Sequence, residues 1–168
     1  MWNVKIKALM AAVGSAVFLA GCTESTIFQP ECADQPDFNV YENIELDDEQ
    51  LLSDWQEICL EEDDYPMAAG LDFERNEEEG YVAITLVVKD GTSREAAAEF
   101  AVEAIKAFND QVAVQDFSYD AAEEGSFGSY FADREIRLAI YEESAYEAEG
   151  EPMYETEVPA GSYTTFEE

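Results

Sequence analysis

Residues 81–110, YVAITLVVKDGTSREAAAEFAVEAIKAFND, decide the fold of this chain. The first eight alternate, with Val82, Ile84, Leu86 and Val88 on one side and Tyr81, Ala83, Thr85 and Val87 on the other. Both sides are largely apolar, as in a central strand. Lys89-Asp90-Gly91 ends the run, and Thr92-x-x-Glu95 then has the form of a capping box. Ala97, Phe100, Ala101, Ala104, Ile105 and Phe108 follow at helical spacing, while Arg94, Glu95, Glu99, Glu103, Lys106 and Asp110 take the opposite face. This spacing predicts an amphipathic helix over about 93–110. Its alanines permit close approach to a sheet, and its two phenylalanines fill the gap.

Working outward, Leu51, Leu52, Trp55, Ile58 and Cys59 share one helical face, which predicts a shorter helix over about 48–60 with Asp47 or Asp48 as N-cap. Leu71 and Phe73 alternate with polar neighbours ahead of a polar turn at Asn76–Gly80, so this segment and Tyr81–Val88 read as a hairpin. Val112, Val114, Phe117 and Tyr119 predict a bent or bulged strand over 112–120. Residues 121–132 (AAEEGSFGSYFA) read as a long loop. Arg134–Tyr141 alternates with Ile136, Leu138 and Ile140 inward, and Tyr154–Val158 reads as a last strand closed by Pro159-Ala160-Gly161. Strands adjacent in sequence favour antiparallel pairing. The expected fold is α+β: an antiparallel sheet of about four to five strands, with the long helix on one face.

Charge sets the limits on function. The 168 residues hold eight Lys/Arg against forty Asp/Glu, a formal charge of −32. At 47% hydrophobic residues the chain is too apolar for a disordered acidic tail. Nucleic-acid binding is excluded, because it needs Lys and Arg on phosphates. The acids fall in clusters: Asp47-Asp48-Glu49, Glu61-Glu62-Asp63-Asp64, Glu77-Glu78-Glu79, Glu123-Glu124 and Glu142-Glu143. These positions match expected loops and element ends, the pattern of a solvated surface. Self-repulsion opposes a compact state, and at molar salt the Debye length falls to about 3 Å. The composition therefore suits a marine or halophilic setting. No segment has the spaced D-x-[DN]-x-[DN]-G calcium loop with its distal Glu, so no metal ligand is assigned, and no cofactor is implied.

The chain has no histidine. That removes Ser-His-Asp catalysis, imidazole metal ligands and His-based pH switching. Nucleotide-binding and nucleophile-elbow motifs are absent as well. Paired carboxylates in a cleft are the catalytic route left open, as in glycan hydrolysis. Forty acids make any chosen pair uninformative, and no catalytic residue is assigned.

The first 22 residues are of a different kind. Lys5 and Lys7 precede an apolar run, Ala8 to Leu19, and the segment ends in Leu19-Ala20-Gly21-Cys22. This is the plan of a cleavable export signal, and the closing tetrapeptide resembles the lipobox of bacterial lipoproteins. The resemblance implies a signal peptide at 1–21, a diacylglycerol on the sulfur of Cys22, a lipidated tether at 22–45 and a single globular domain at 46–168. One acyl chain holds reversibly and two hold stably. Thr23 stands where aspartate would favour inner-membrane retention, so the implied location in a Gram-negative cell is the outer membrane, facing the periplasm. Cleavage would leave six basic and forty acidic residues, a charge of −34 over 147 residues. Such a body would be repelled by anionic lipid, and the lipid alone would hold it at the membrane.

With Cys22 lipidated, Cys32 and Cys59 remain as an even pair in an oxidising compartment, and a structural disulfide is the simplest reading. It would close a loop of about 28 residues, worth roughly 3.5 kcal/mol in the chain-entropy picture. A redox-active or metal-binding pair would call for closer spacing. Among the C-terminal aromatics, Tyr141, Tyr146 and Tyr154 read as core and cross-strand partners. Phe127, Tyr130 and Phe131 lie on a glycine-hinged loop and are expected to contribute to a partner site. Glu157–Tyr163 resembles the start of a strand in small-molecule-binding domains of the gyrase-inhibitor-like class, and no function is carried over from it. The expected protein is a membrane-anchored, non-enzymatic lipoprotein that binds another envelope protein or a small ligand. The alternatives are an inhibitor- or immunity-like protein for a basic target, and a carboxylate-dependent cell-wall glycan hydrolase.

Overall fold

A computed structural model describes residues 44–61 and 63–166. Cys22, Cys32 and the signal and tether segments lie outside them. Helix α1 spans Asp48–Cys59, and Asp47 caps it by accepting from the Gln50 amide at 3.1 Å. Leu51, Trp55 and Cys59 are fully buried, whereas Ile58 at the edge of the stripe is 40% exposed. Strand β1 (Ala68–Asn76) and strand β2 (Tyr81–Val88) form the expected hairpin, with Asn76 opposite Tyr81. In its turn the Asn76 carboxamide accepts from the Glu79 amide at 2.9 Å.

Helix α2 spans Arg94–Gln115, and its N-cap is Ser93 rather than Thr92. The Ser93 hydroxyl accepts from the Ala96 amide, while Thr92 donates to the Lys89 carbonyl at 2.6 Å and so closes the preceding turn. The helix also runs past the expected end at 110, which corrects the strand expected over 112–120. Val112 lies one helical step beyond Phe108 and is fully buried, so the apolar stripe continues. Burial on the stripe outweighs the weak β preference of two valines. The side chain of Gln115 then ties the helix end to the chain entering α1: it accepts from the Asp47 amide at 2.8 Å and donates to the Asp47 carbonyl at 3.1 Å.

Strand β3 is Glu135–Glu142, helix α3 is Glu143–Glu147 and strand β4 is Tyr154–Val158. Among the described residues the sheet has four strands in the order β1-β2-β3-β4. The class is α+β as expected, with one correction to the pairing. β1–β2 and β3–β4 are antiparallel, but β2–β3 is parallel, with Val82 opposite Ile136 and Leu86 opposite Ile140. Between them the chain crosses over through α2, which returns it to the starting end of the sheet. The 157–163 segment ends a strand here rather than starting one, since β4 stops at Val158.

One face of the sheet packs under α1 and α2. Phe108 is the hub, with ring centroids 4.8 Å from Phe73, 5.2 Å from Trp55 and about 6 Å from Tyr130 and Phe131. The Trp55 indole donates to the Ala104 carbonyl of α2 at 2.8 Å, so α1 is bonded as well as packed to its neighbour. The other face presents half-buried Ala83 and Thr85 with exposed Asp72, Glu74, Glu155 and Glu157. There the Arg137 guanidinium lies 3.6 Å from the centre of the Tyr81 ring. Among the described residues, the acid clusters fall at helix starts, turns and loops as expected, and no helix is long and apolar enough to cross a membrane.

Candidate functional site

The loop between α2 and β3 is built onto one buried side chain, Asn109. Its oxygen accepts from the Tyr130 amide at 3.1 Å, and its nitrogen donates to the Asp120 carbonyl at 3.0 Å. Anchored in this way, the loop ends in a short 3₁₀ turn, Ser129–Ala132. This turn drives its aromatics inward. Phe127, Tyr130 and Phe131 are all at most 2% exposed, which corrects the expectation that they face a partner. Phe127 packs on Tyr163 and Phe166, and Phe131 packs on Phe108. Glycines hinge this loop, but the apolar rings still gain most by leaving water.

Tyr130 is the one of the three that reaches a functional candidate. At one end of the sheet, the β1–β2 turn, the start of β3, the entry to α1 and the exit of α2 enclose a cleft of about 340 Å³. That volume is at the small end of the range for ligand pockets. Arg75 and Arg134 bring two of the chain's few cations into it. Glu77 bridges them, one carboxylate oxygen 2.9 Å from Arg75 and the other 3.2 Å from Arg134. Arg75 also pairs with Asp48 at 2.5 Å and Arg134 with Asp133 at 2.7 Å. The Arg134 guanidinium stacks 4.3 Å from the centre of the Tyr130 ring. Ile44 and Leu46 supply an apolar wall, and Tyr119 an aromatic one.

Two polar atoms in this cluster are buried without a hydrogen-bond partner, the Tyr130 hydroxyl and Arg134 Nε. Burial pushes the Tyr130 hydroxyl above the usual tyrosine range, and the nearby Arg75 and Arg134 charges partly oppose the shift. Arg75 faces this hydroxyl without aligning as a hydrogen bond. Burial on its own would weaken the charge on both arginines. Tyr130 and Asp48 more than offset this for Arg75, as do Tyr130 and Glu77 for Arg134, so both are held firmly protonated. Asp116, which also lines the cleft, is only 7% exposed and caps the carbonyl end of α2, where the helix dipole disfavours a carboxylate. It accepts from the Ser118 amide at 2.9 Å. The cleft's ion pairs run through Asp48, Glu77 and Asp133 instead.

A second, wider depression of about 690 Å³ lies against the loop and the 161–163 turn, lined by Phe127, Phe131, Ser126 and Ser129. Ser126 and Ser129 are committed to the loop's own amides, Ser126 accepting from Gly128 and Ser129 from Asp120. Cys59 is a free thiol with no exposed surface, and burial pushes its pKa up to about 12. Cys32 lies outside the described residues, so a bridge between the two is a proposal about the exported protein. Among the described residues no cluster of three or more His, Cys, Asp or Glu could hold a metal ion.

The sequence marks Tyr130 only as a loop aromatic and does not show that Arg75 and Arg134 join it; in the structure both arginines neutralise nearby acids as well. The available signal was their scarcity, since cations at the end of β1 and just before β3 meet at one end of the sheet only through the fold. No protein-family model, no curated protein and no solved structure matches this chain. The functional reading therefore rests on the cleft and the sequence.

Proposed function

We propose that this chain is an exported lipoprotein, anchored through Cys22, whose folded domain is a non-enzymatic binding module. In a Gram-negative cell it would face the periplasm from the outer membrane. The observation that carries the binding reading is the cleft: buried, unpartnered donors beside two charged arginines are costly to keep, at about 1–3 kcal/mol for each orphaned group. Such a cost is offset when a ligand makes the missing bonds. Both oxygens of Glu77 are committed to arginines, which suits recognition better than proton transfer.

The test is capture of partners by the intact, acylated protein from solubilised envelopes, with palmitate labelling in parallel. The proposal expects label on the wild type and none on Cys22→Ser. An unlabelled wild type, or an uncut leader, would overturn the anchor. Turnover of purified cell-wall glycan by the protein would overturn the non-enzymatic reading.

A second reading is favoured by how the charges are arranged. The cations in ion pairs at Arg75, Arg134 and Lys106 have 14–22% of their side chains exposed, while their carboxylate partners have 52–76% exposed. An anionic outer surface of this kind would steer association with a basic target. Loss of the captured partner on raising salt supports this reading, and capture that survives molar salt supports a packed interface.

A further inference from the structure

We propose that the cleft between Arg75, Arg134, Tyr130 and Asp116 binds a small zwitterion of the amino-acid class, which deepens the reading of the domain as a binder and rests on it. The cleft holds both unmet donors and an unpaired carboxylate. The Arg134 Nε and the Tyr130 hydroxyl are buried and unpartnered. Asp116, which lines the same space, is a buried carboxylate at the negative end of α2, with no cation within ion-pair distance among the described residues. A simple anion satisfies the donors but adds to the carboxylates of Glu45, Glu77 and Asp116 that line the same space. A simple cation does the reverse and faces two arginines.

A molecule carrying both charges meets both needs. Its carboxylate takes the hydrogen bonds of Arg134 Nε and Tyr130, charge-assisted and therefore stronger than neutral ones. Its ammonium sits toward Asp116, where the carbonyl end of α2 favours positive charge. A volume of about 340 Å³ holds a free amino acid, and Ile44, Leu46 and Tyr119 offer an apolar wall to its side chain.

The experiment is thermal unfolding of the whole mature lipoprotein in detergent at fixed ionic strength, with each proteinogenic amino acid in turn at about 10 mM. L-Leucine is then compared with its two halves, 4-methylpentanoate and 3-methylbutylamine. At least one amino acid should raise the midpoint by about 2 °C or more through linkage. Any response to leucine should exceed that to either half. Asp116→Asn and Arg134→Gln should abolish the response. Tyr130→Phe, which removes only a hydroxyl without a partner, should fold with an unchanged or higher midpoint and respond at least several-fold more weakly. No response to any amino acid, or an equal response to 4-methylpentanoate alone, would overturn the proposal. Ligand failure with palmitate labelling and partner capture intact would sink this inference and leave the anchored binding module standing.

Discussion

The Cβ atom that Gly128 lacks would lie 2.1 Å from the carboxamide of Asn109. Asn109 is fully buried and holds the amide of Tyr130, so this one contact fixes where the loop's aromatics enter the core.

Gly128→Ala should therefore be severe. Its backbone has φ of +95°, in the region that disfavours side chains by about 1–2 kcal/mol, and overpacking against Asn109 adds about 1–3 kcal/mol. Gly125→Ala has a similar φ of +76° with nothing within 4 Å, and should cost only the conformational part. Asn109→Ala should cost about 1–3 kcal/mol by leaving the Tyr130 amide without its acceptor. In that background Gly128→Ala should lose most of its clash. A double-mutant cycle in urea checks the coupling, and additive costs would refute it.

Trp55 links α1 to α2 by packing and by one hydrogen bond. Trp55→Ala should cost about 3–5 kcal/mol. Trp55→Phe keeps the ring contact with Phe108 and removes the bond to the Ala104 carbonyl, so its cost should be nearer 1–2 kcal/mol. The proposed cleavage would leave Trp55 as the one tryptophan, the other being Trp2. Chemical unfolding of the Phe variant can be followed by circular dichroism.

Cys59 gives a pH dependence with a defined sign. Its folded pKa of about 12 lies above the ordinary thiol value of 9.0, so the neutral thiol is favoured by the fold. The stabilising contribution is complete below pH 9 and is lost as pH rises through 9 toward 12, because the unfolded chain releases its proton first. With Cys59 reduced, stability of the wild type should fall more steeply across that window than stability of Cys59→Ala. The native thiol should resist alkylation. In denaturant without reductant, labelling of Cys59 would exclude the Cys32 bridge proposed for the exported protein, and resistance there would reveal it.

Salt should stabilise this fold. Exposed carboxylates at Asp48, Glu77 and Asp133 repel one another across the cleft end, and the clusters elsewhere add to a formal charge of −32 for the chain. Screening at molar sodium chloride should raise the unfolding midpoint by several degrees over low salt. A flat or falling midpoint would remove the halophilic reading.

Periodicity made β2, β3, β4, α1 and most of α2 legible, because each buries one face and its apolar spacing records that face directly. Tyr81–Val88 and Tyr154–Val158 have the same bounds in sequence and structure. Where two local preferences competed, spacing was not enough. Val112 and Val114 look like strand residues until Phe108 is seen to continue its stripe through Val112, and the pairing of β2 with β3 depends on the crossover that α2 makes. The loop aromatics misled for a similar reason, since flexible glycines indicate freedom only where no apolar surface waits to receive the rings.

The sequence by itself determined the α+β class, the central strand, the capped and striped helices and the acidic exterior. These follow from short-range rules of burial and charge. Only the tertiary structure decided that β2 and β3 run parallel, that Phe127 and Phe131 lie in the core, and that Arg75, Arg134, Tyr130 and Asp116 share one cleft. Those facts depend on contacts between residues distant along the chain, and side chains at 75 and 134 meet only after a sheet and two helices have packed.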